Sequence, residues 1–331
     1  MNIHSTRDRQ RLDLRERVPL DRPLMVRIEP ANVCNLSCSF CPTGDKALLK
    51  QFGRRPAIMD YGLFEKTIRD IREMGGVRKI YLYKDGEPLL HPRLGEMIRL
   101  AKSSGAASEI WTTTNGIFLE NAKSLELVDA GLDLMRISVY GVSPENYRRI
   151  SGADVDYEAL VQKISFLFHH KKKMHVHVKL LDWGLSGEEK EKFMRDFRGV
   201  SDSIHIDGMM GWSRSGLKDF TMGTHPTRSP DGLMLTPKEV CPFPFYTLTV
   251  NSDGSVSVCC ADWSHGTVVG DLGRESLSEI WAGSRLAEFR KMHLRKERRR
   301  HPVCGYCQYL AIPPDNLDPY ADELLKKMGF D

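Results

Sequence analysis

The sequence lacks what would send it to a membrane or out of a reducing compartment. No apolar run approaches the about 18 residues that span a bilayer. No apolar stretch follows Met1, and the start, MNIHSTRDRQRLDLRERVPLDRP, is charged throughout. A disulfide framework for the eight cysteines would need export, and no signal peptide is visible. Charge of one sign is not in excess: 48 Lys and Arg face 44 Asp and Glu, for a net +4. Nothing therefore demands a nucleic-acid partner or an anionic membrane surface. Internal repeats are absent too. A cytoplasmic protein is expected. A composition 41% hydrophobic and 28% charged excludes wholesale disorder, and 331 residues suggest about two domains.

Residues 1–23 read as a charged, weakly ordered arm. Beyond it, short β-like runs alternate with helical patterns. The strands are MVRIE (25–29), IYLYKD (80–85), EIWTTTN (109–115), LMRISVY (134–140), HVHVKLL (175–181) and SIHID (203–207). Helices are predicted over 60–75 with Asp60 as cap and Gly75 as stop, over 91–105 with Pro92 in the first turn, and over 122–131, 156–173 and 186–197. The helix at 186 opens with the capping box Ser186-x-x-Glu189. Six such units argue for parallel βα structure, and the stretch is too short for the ~250 residues of a complete barrel.

The strands carry a two-residue period. Val26, Ile28, Ile80, Leu82, Ile110, Ile137, Val139, Val176, Val178, Ile204 and Ile206 share one parity. The other parity holds Arg27, Glu29, Tyr81, Tyr83, Trp111, Thr113, Asn115, Arg136, Ser138, Tyr140, His175, His177, Lys179, His205 and Asp207. A sheet covered on both faces would be apolar throughout, and a closed barrel would fill with branched apolar chains. One polar face predicts an α/β fold: a partial (β/α)6 TIM-like barrel over 24–208 with helices outside and a wet interior. The competing architecture is an open sheet with one solvated face. Residues 209–240 read as a linker or covering loop, and 241–331 as a small α+β domain. In the last segment, FYTLTV-NSDG-SVSVCC predicts a hairpin, and 276–298 a single helix. The basic runs Lys171–Lys173 and RKERRR (295–300) read as solvated helix ends.

NVCNLSCSFCPTGD places Cys34, Cys38 and Cys41 as C-x3-C-x2-C, after the first strand. No fourth cysteine or histidine follows nearby, so one coordination position stays open. Structural zinc wants four closed ligands. Three thiolates without histidine suit a four-iron cluster with one exposed iron better. A second group, Cys241, Cys259, Cys304 and Cys307, has the spacing C-x17-C-x44-C-x2-C, with Cys260 as an adjacent fifth thiol. On a strand, Cys259 and Cys260 would point to opposite sides, so one of the two is expected as a ligand. Four thiolates from distant segments can close a full shell around a cluster or a zinc.

The first group resembles the radical SAM superfamily, whose C-x3-C-x-aromatic-C motif is matched by Cys34, Cys38, Phe40 and Cys41. YKDGEP (83–88) is similar to the family's GGEP segment, with Asp85 in place of the first glycine and Gly86, Glu87 and Pro88 matching. TTNG (113–116) and RISVYG (136–141) resemble later strand segments and offer Asn115 and Ser138. The resemblance implies that Cys34, Cys38 and Cys41 hold a 4Fe-4S cluster. It implies that Phe40, Gly86, Glu87, Pro88, Asn115 and Ser138 contact S-adenosylmethionine. The carboxylate contact falls to Arg148, Arg149, Arg136 or Lys179, with Arg149 carried forward here. The implied first step is reductive cleavage to methionine and a 5′-deoxyadenosyl radical, which takes a hydrogen atom from a substrate.

The second group resembles the SPASM/twitch auxiliary-cluster extension, and its spacing is similar to that of the aminocyclitol dehydrogenases in that group. A second, fully ligated 4Fe-4S cluster is implied, able to take an electron from a substrate radical. The expected reaction is oxidation of a secondary alcohol on a sugar- or aminocyclitol-like small molecule, with flavodoxin or ferredoxin as electron donor. Candidate bases are His175, His177, Lys179 and His205. One alternative is a radical epimerase in which Cys260 returns a hydrogen atom. Another is a peptide- or protein-modifying maturase, disfavoured because only about 24 residues precede the first strand. A zinc-stabilised scaffold is the non-enzymatic alternative.

Overall fold

A computed structural model describes residues 12–224, 227–229 and 234–330. Six strands run parallel: β1 (Met25–Ile28), β2 (Val77–Leu82), β3 (Ala107–Thr114), β4 (Leu134–Val139), β5 (His175–Asp182) and β6 (Ser203–Gly208). The helices in this half are α1 (Leu14–Arg17), α2 (Lys46–Gln51), α3 (Tyr61–Glu73), α4 (Leu94–Ser103), α5 (Asn121–Asp129), α6 (Pro144–Ser151), α7 (Tyr157–His170) and α8 (Gly187–Phe197). The C-terminal part adds β7 (Thr247–Val250), β8 (Ser255–Ser257), β9 (Val268–Asp271), α9 (Leu277–Ala282), α10 (Ser284–Leu294) and α11 (Ala321–Lys327). No helix among the described residues is long and apolar enough to cross a membrane.

The sheet order is β6-β5-β4-β3-β2-β1-β7-β8-β9. β6 is therefore an edge. β7 lies where a closing strand would pair with β1, running parallel to it with Met25 opposite Thr247 and Ile28 opposite Val250. The barrel stays incomplete for that reason. The C-terminal hairpin, expected as part of a separate small domain, extends the barrel's own sheet. Its turn forms at Asp253-Gly254, where Gly254 adopts φ +89°, a conformation that glycine reaches without strain.

The two-residue period is borne out. Val26, Ile28, Ile80, Leu82, Ile110, Ile137, Val139, Val176 and Val178 are fully buried and pack against Phe64 and Ile68 of α3, Ile98 of α4, Leu127 of α5 and Ile164 of α7. Each such side chain contributes roughly 1.5–3 kcal/mol by leaving water. The helix signals hold as well. Asp60 accepts from Leu63 N at 3.0 Å, and Ser186 and Glu189 form their capping box.

Four expectations are corrected. Residues 1–11 of the supposed arm lie outside the described residues, but 12–23 are not a loose leader. Leu14 and Val18 are buried against Leu294, Leu317 and Leu324, so this segment packs on α10 and α11. Pro92 lies ahead of α4, which begins at Leu94. The single helix at 276–298 is two, because Gly283 is extended (ψ 153°), and a Cβ there would sit 2.9 Å from the Glu279 carbonyl. The basic run at 295–300 is not wholly solvated: buried Arg298 donates to the carbonyls of Cys304, Gly305 and Lys238.

Candidate active site

The loop after β1 carries the first three thiols, and contacts on three sides hold it. Backbone N–H groups of Ser37 and Ser39 donate to the carbonyls of Ser151 (2.9 Å) and Ile150 (3.0 Å) at the end of α6. Glu87 N donates to Val33 O at 2.8 Å. Asn115 Nδ2 donates to Asn35 Oδ1 at 2.8 Å and lies 4.0 Å from Cys34 Sγ. Two glycines make these approaches feasible. A Cβ on Gly86 would lie 2.2 Å from Ala31 O, and one on Gly44 2.4 Å from Cys38 O. Phe40 packs on Tyr140 with ring centroids 5.6 Å apart, and its carbonyl accepts from Trp212 Nε1 of the covering loop at 3.1 Å.

The residues assigned to the nucleotide are partly engaged elsewhere. Glu87 is 2% exposed. It accepts from Thr114 Oγ1 (2.6 Å), Leu89 N (3.0 Å) and Asn115 N (2.8 Å), so it pins the end of β3. Burial, against those hydrogen bonds, still raises its pKa. Pro88 starts a single 3-10 turn, and Ser138 is buried on β4. Arg149 is exposed on α6, with its guanidinium over Trp183 at 5.0 Å and donating to Trp183 O at 3.3 Å.

Asp85, the departure from the glycine-rich motif, belongs to a balanced buried quartet. It pairs with Lys84 (2.9 Å) and Arg54 (3.1 Å), and Arg54 also lies 4.0 Å from fully buried Glu29. Glu29 accepts from Ser252 N and Oγ at 3.1 and 3.0 Å, while Lys84 donates to Asp262 O at 3.2 Å. The quartet thus joins the ends of β1 and β2 to the C-terminal hairpin. Sequence reasoning saw Asp85 as a substitution only. Of its compensating charges Lys84 is the adjacent residue, but Arg54 lies 31 positions away, which no local motif shows.

The polar parity faces inward, as expected. His175 and His177 each lie 2.7 Å from Ser203 Oγ. Lys179 pairs with Asp207 at 2.8 Å, and His205 Nε2 lies 3.6 Å from the same carboxylate. Burial, with Arg136 and Lys179 adding, pushes His177 down to about 3. Asp207 stays below its usual range because Lys179, His205 and Arg136 outweigh the opposing effect of burial. On the β1 side, the Arg27 guanidinium lies over Tyr81 (5.0 Å) and Tyr83 (5.1 Å), and Arg136 Nη1 lies 3.4 Å from Tyr83 Oη. Arg27, Tyr83 and Asp207 were read as interior positions but given no role.

Cys241, Cys259, Cys304 and Cys307 line one cavity, with Phe243, Val258, His293 and Arg298 among its walls. Burial pushes Cys241 up to about 12 and Cys307 up to about 11, and Cys34 in the first site up to about 12. β8 ends at Ser257, so Cys259 and Cys260 lie in the turn beyond it and not on a strand. Only Cys259 of the two lines the cavity. Cys260 is hydrogen-bonded to Cys259 and Tyr309 and sits in the field of Arg27; the Cys259 bond, with Arg27 and Tyr309 adding and burial opposing, pulls its pKa below the usual thiol value.

A family model described as the radical SAM superfamily matches residues 28–198, just over half of the chain. The chain belongs to the radical SAM superfamily. A second model, an iron-sulfur cluster-binding SPASM domain, matches residues 241–308. Among curated radical SAM relatives, GTP 3′,8-cyclase of Chlorobaculum tepidum is 35% identical over 129 residues, 39% of this chain and 36% of that protein. The chain thus spans little over a third of that relative's length. The S-adenosyl-L-methionine-dependent 2-deoxy-scyllo-inosamine dehydrogenase of Niallia circulans is 21% identical over 296 residues, covering 89% of this chain and 97% of that one. The crystal structure of BtrN in complex with AdoMet and 2-DOIA shares the fold with a TM-score of 0.58 at 19% identity, over 87% of this chain and 94% of that one. Streptococcus suis SuiB bound to precursor peptide SuiA gives 0.63 at 13% identity, over 84% and 69%.

The radical SAM and SPASM assignments indicate S-adenosylmethionine and iron–sulfur groups, and the residues fit them. Among the described residues, no three His, Cys, Asp or Glu side chains converge on a single-ion site. The second cavity is walled by four thiols. His293 Nε2, on its wall, is buried without a hydrogen-bond partner, as a donor facing a sulfur acceptor would be.

Proposed function

We propose that this radical SAM enzyme oxidises a secondary alcohol of a small polyhydroxylated substrate held in the barrel interior. Two 4Fe-4S clusters are assigned, one to Cys34, Cys38 and Cys41 and one to Cys241, Cys259, Cys304 and Cys307. The observation that carries the reading is the placement of the two thiol sites after neighbouring parallel strands. β1 leads into the three-thiol loop, and β7, its partner, leads through the hairpin to Cys259. Similarity to the dehydrogenase over nearly the whole chain supports it. S-adenosylmethionine at the three-thiol site would supply the radical that removes the carbinol hydrogen.

The chain's own residues then have distinct tasks. Glu87, Asn115 and Gly86 hold the cysteine loop in register. The barrel's polar face orients the substrate hydroxyls. A proton must leave the alcohol, and His205 beside Asp207 is the base we assign. His205 is part-exposed, whereas His177 is buried and its lowered pKa makes it a weak acceptor. Lys179 is committed to Asp207. A cluster held by all four thiols of the second site would have no open ligand position and would serve as the electron acceptor, and a flavodoxin or ferredoxin would supply the first site.

Anaerobically reconstituted protein given S-adenosylmethionine and a strong reductant should release 5′-deoxyadenosine and hold about eight iron atoms per chain, four for each cluster. No release, with two zincs and no sulfide, would refute the assignment. A second reading, epimerisation with Cys260 as hydrogen donor, is favoured by one feature: Cys260 borders Arg27 and Tyr309 and does not line the auxiliary cavity. Solvent deuterium in an inverted product, lost in Cys260→Ala, would select it.

A further inference from the structure

The wall of the four-thiol cavity holds few other polar side chains, and most are satisfied within the protein. Ser213 Oγ donates to Ala261 O at 2.7 Å. Asp262 accepts from Thr267 N and Oγ1 at 2.6 and 2.8 Å. Arg298 donates to three backbone carbonyls and pairs with Glu239. His293 differs. It sits in the last turn of α10, 1% exposed, and its Nε2 is buried with no hydrogen-bond partner.

The proton on that nitrogen is fixed from the other side of the ring. Cys241 N donates to His293 Nδ1 at 3.3 Å. Nδ1 therefore presents its lone pair, since a proton there would collide with the amide hydrogen. A ring with a bare Nδ1 is neutral and carries its proton on Nε2. The Glu239 carbonyl also meets the ring and favours its charged form, but it is no partner of Nε2. Phe289, one turn earlier and on the same wall, packs on the imidazole with ring centroids 5.2 Å apart and restrains it. α10 thus presents a donor without an acceptor to a space walled by four sulfur atoms. A buried donor left unmet is destabilising, and an iron–sulfur group in that space would bring the missing acceptor.

We propose that His293 Nε2–H donates a hydrogen bond to a sulfur of the cluster assigned to Cys241, Cys259, Cys304 and Cys307, and so raises that cluster's reduction potential. A donor aimed at sulfur favours the state carrying one more electron, because the acceptor is then more negative. The step it assists is balanced: the substrate radical gives up one electron to the cluster, and its hydroxyl proton leaves to the base. The proposal rests on the cluster assignment and is independent of which alcohol is oxidised.

The test uses holoprotein loaded with both clusters, with Cys38→Ala supplying the spectrum of the second cluster alone. Protein labelled with ¹⁵N-histidine and reduced should show, by pulsed electron paramagnetic resonance, a histidine nitrogen and its exchangeable hydrogen coupled to the second cluster. In a redox titration, His293→Leu should lower that cluster's reduced-to-oxidised ratio at a given potential about tenfold, equivalent to a midpoint lower by about 60 mV. His293→Gln, whose side-chain nitrogen can take the place of Nε2, should keep most of the wild-type value. Absence of a histidine coupling in the wild-type protein would overturn the proposal, even where a variant loses its iron. An unchanged midpoint in His293→Leu would do the same, as would an equal drop in His293→Gln, which would mark the ring as a packing element. Iron at the level of one cluster in wild-type protein would instead sink the cluster assignment itself, and no substrate enters any of these measurements.

Discussion

The two cysteine sites reach a similar chemistry by opposite structural routes. The first is local. Three thiols fall within eight residues of one loop, and the fold's work is to hold that loop through hydrogen bonds from α6, the Glu87 segment and Asn115. The second is assembled. Its four thiols span residues 241 to 307 and converge only because β7 pairs with β1 and α10 returns the chain. A local site can leave a ligand position open, because its loop is held from outside. An assembled site that holds distant segments together has reason to be closed, since its metal is also a staple.

This contrast can be broken most directly in the first loop. Cys38→Ala should reduce 5′-deoxyadenosine release to background while the second site keeps its iron, about half the total. Loss of all iron would mean that the sites are not independent. Cys304→Ala should do the reverse in two respects. It should empty the second site and cost several kcal/mol of stability in urea unfolding, since metal binding there doubles as folding energy. Cleavage of S-adenosylmethionine should persist, uncoupled from substrate oxidation.

Gly86→Ala sharpens the comparison from the scaffold side. Its Cβ would approach Ala31 O to 2.2 Å and Val33 O to 2.5 Å, so the cysteine loop must shift. A loss of about 2–4 kcal/mol is expected, with iron lost from the first site alone. The smallest effect is shared by both halves. Burial lowers His177 to about 3 and His265 to about 2, from the ordinary 6.5. A depressed histidine favours the neutral form when folded, so its stabilisation is complete above pH 6.5 and declines as pH falls below it. Each should contribute a slope on the order of 1 kcal/mol per pH unit between pH 6 and 4 in urea titrations. A flat profile there would show that both rings are solvated.

Much of the barrel was legible beforehand because parallel strands with one polar face have a two-residue signature, and Val26, Ile80 and Val176 obey it. The thiol sets were legible because metal chemistry restricts residue type and spacing. The addition of β7 beside β1 was not, since pairing between residues some 220 apart leaves no local trace. The Asp85 quartet escaped for the same reason, and so did Glu87's commitment to β3.

By itself the sequence determined the alternation of strand and helix, the inward polar face and the seven thiols, because side-chain type and period encode burial and ligation directly. Tertiary structure alone decided that Cys259 lines the cavity while Cys260 does not, and that Arg54 joins Lys84 in neutralising Asp85. Those outcomes depend on which distant charges share a low-dielectric space, and Coulomb energies are set by distances that chain order does not specify.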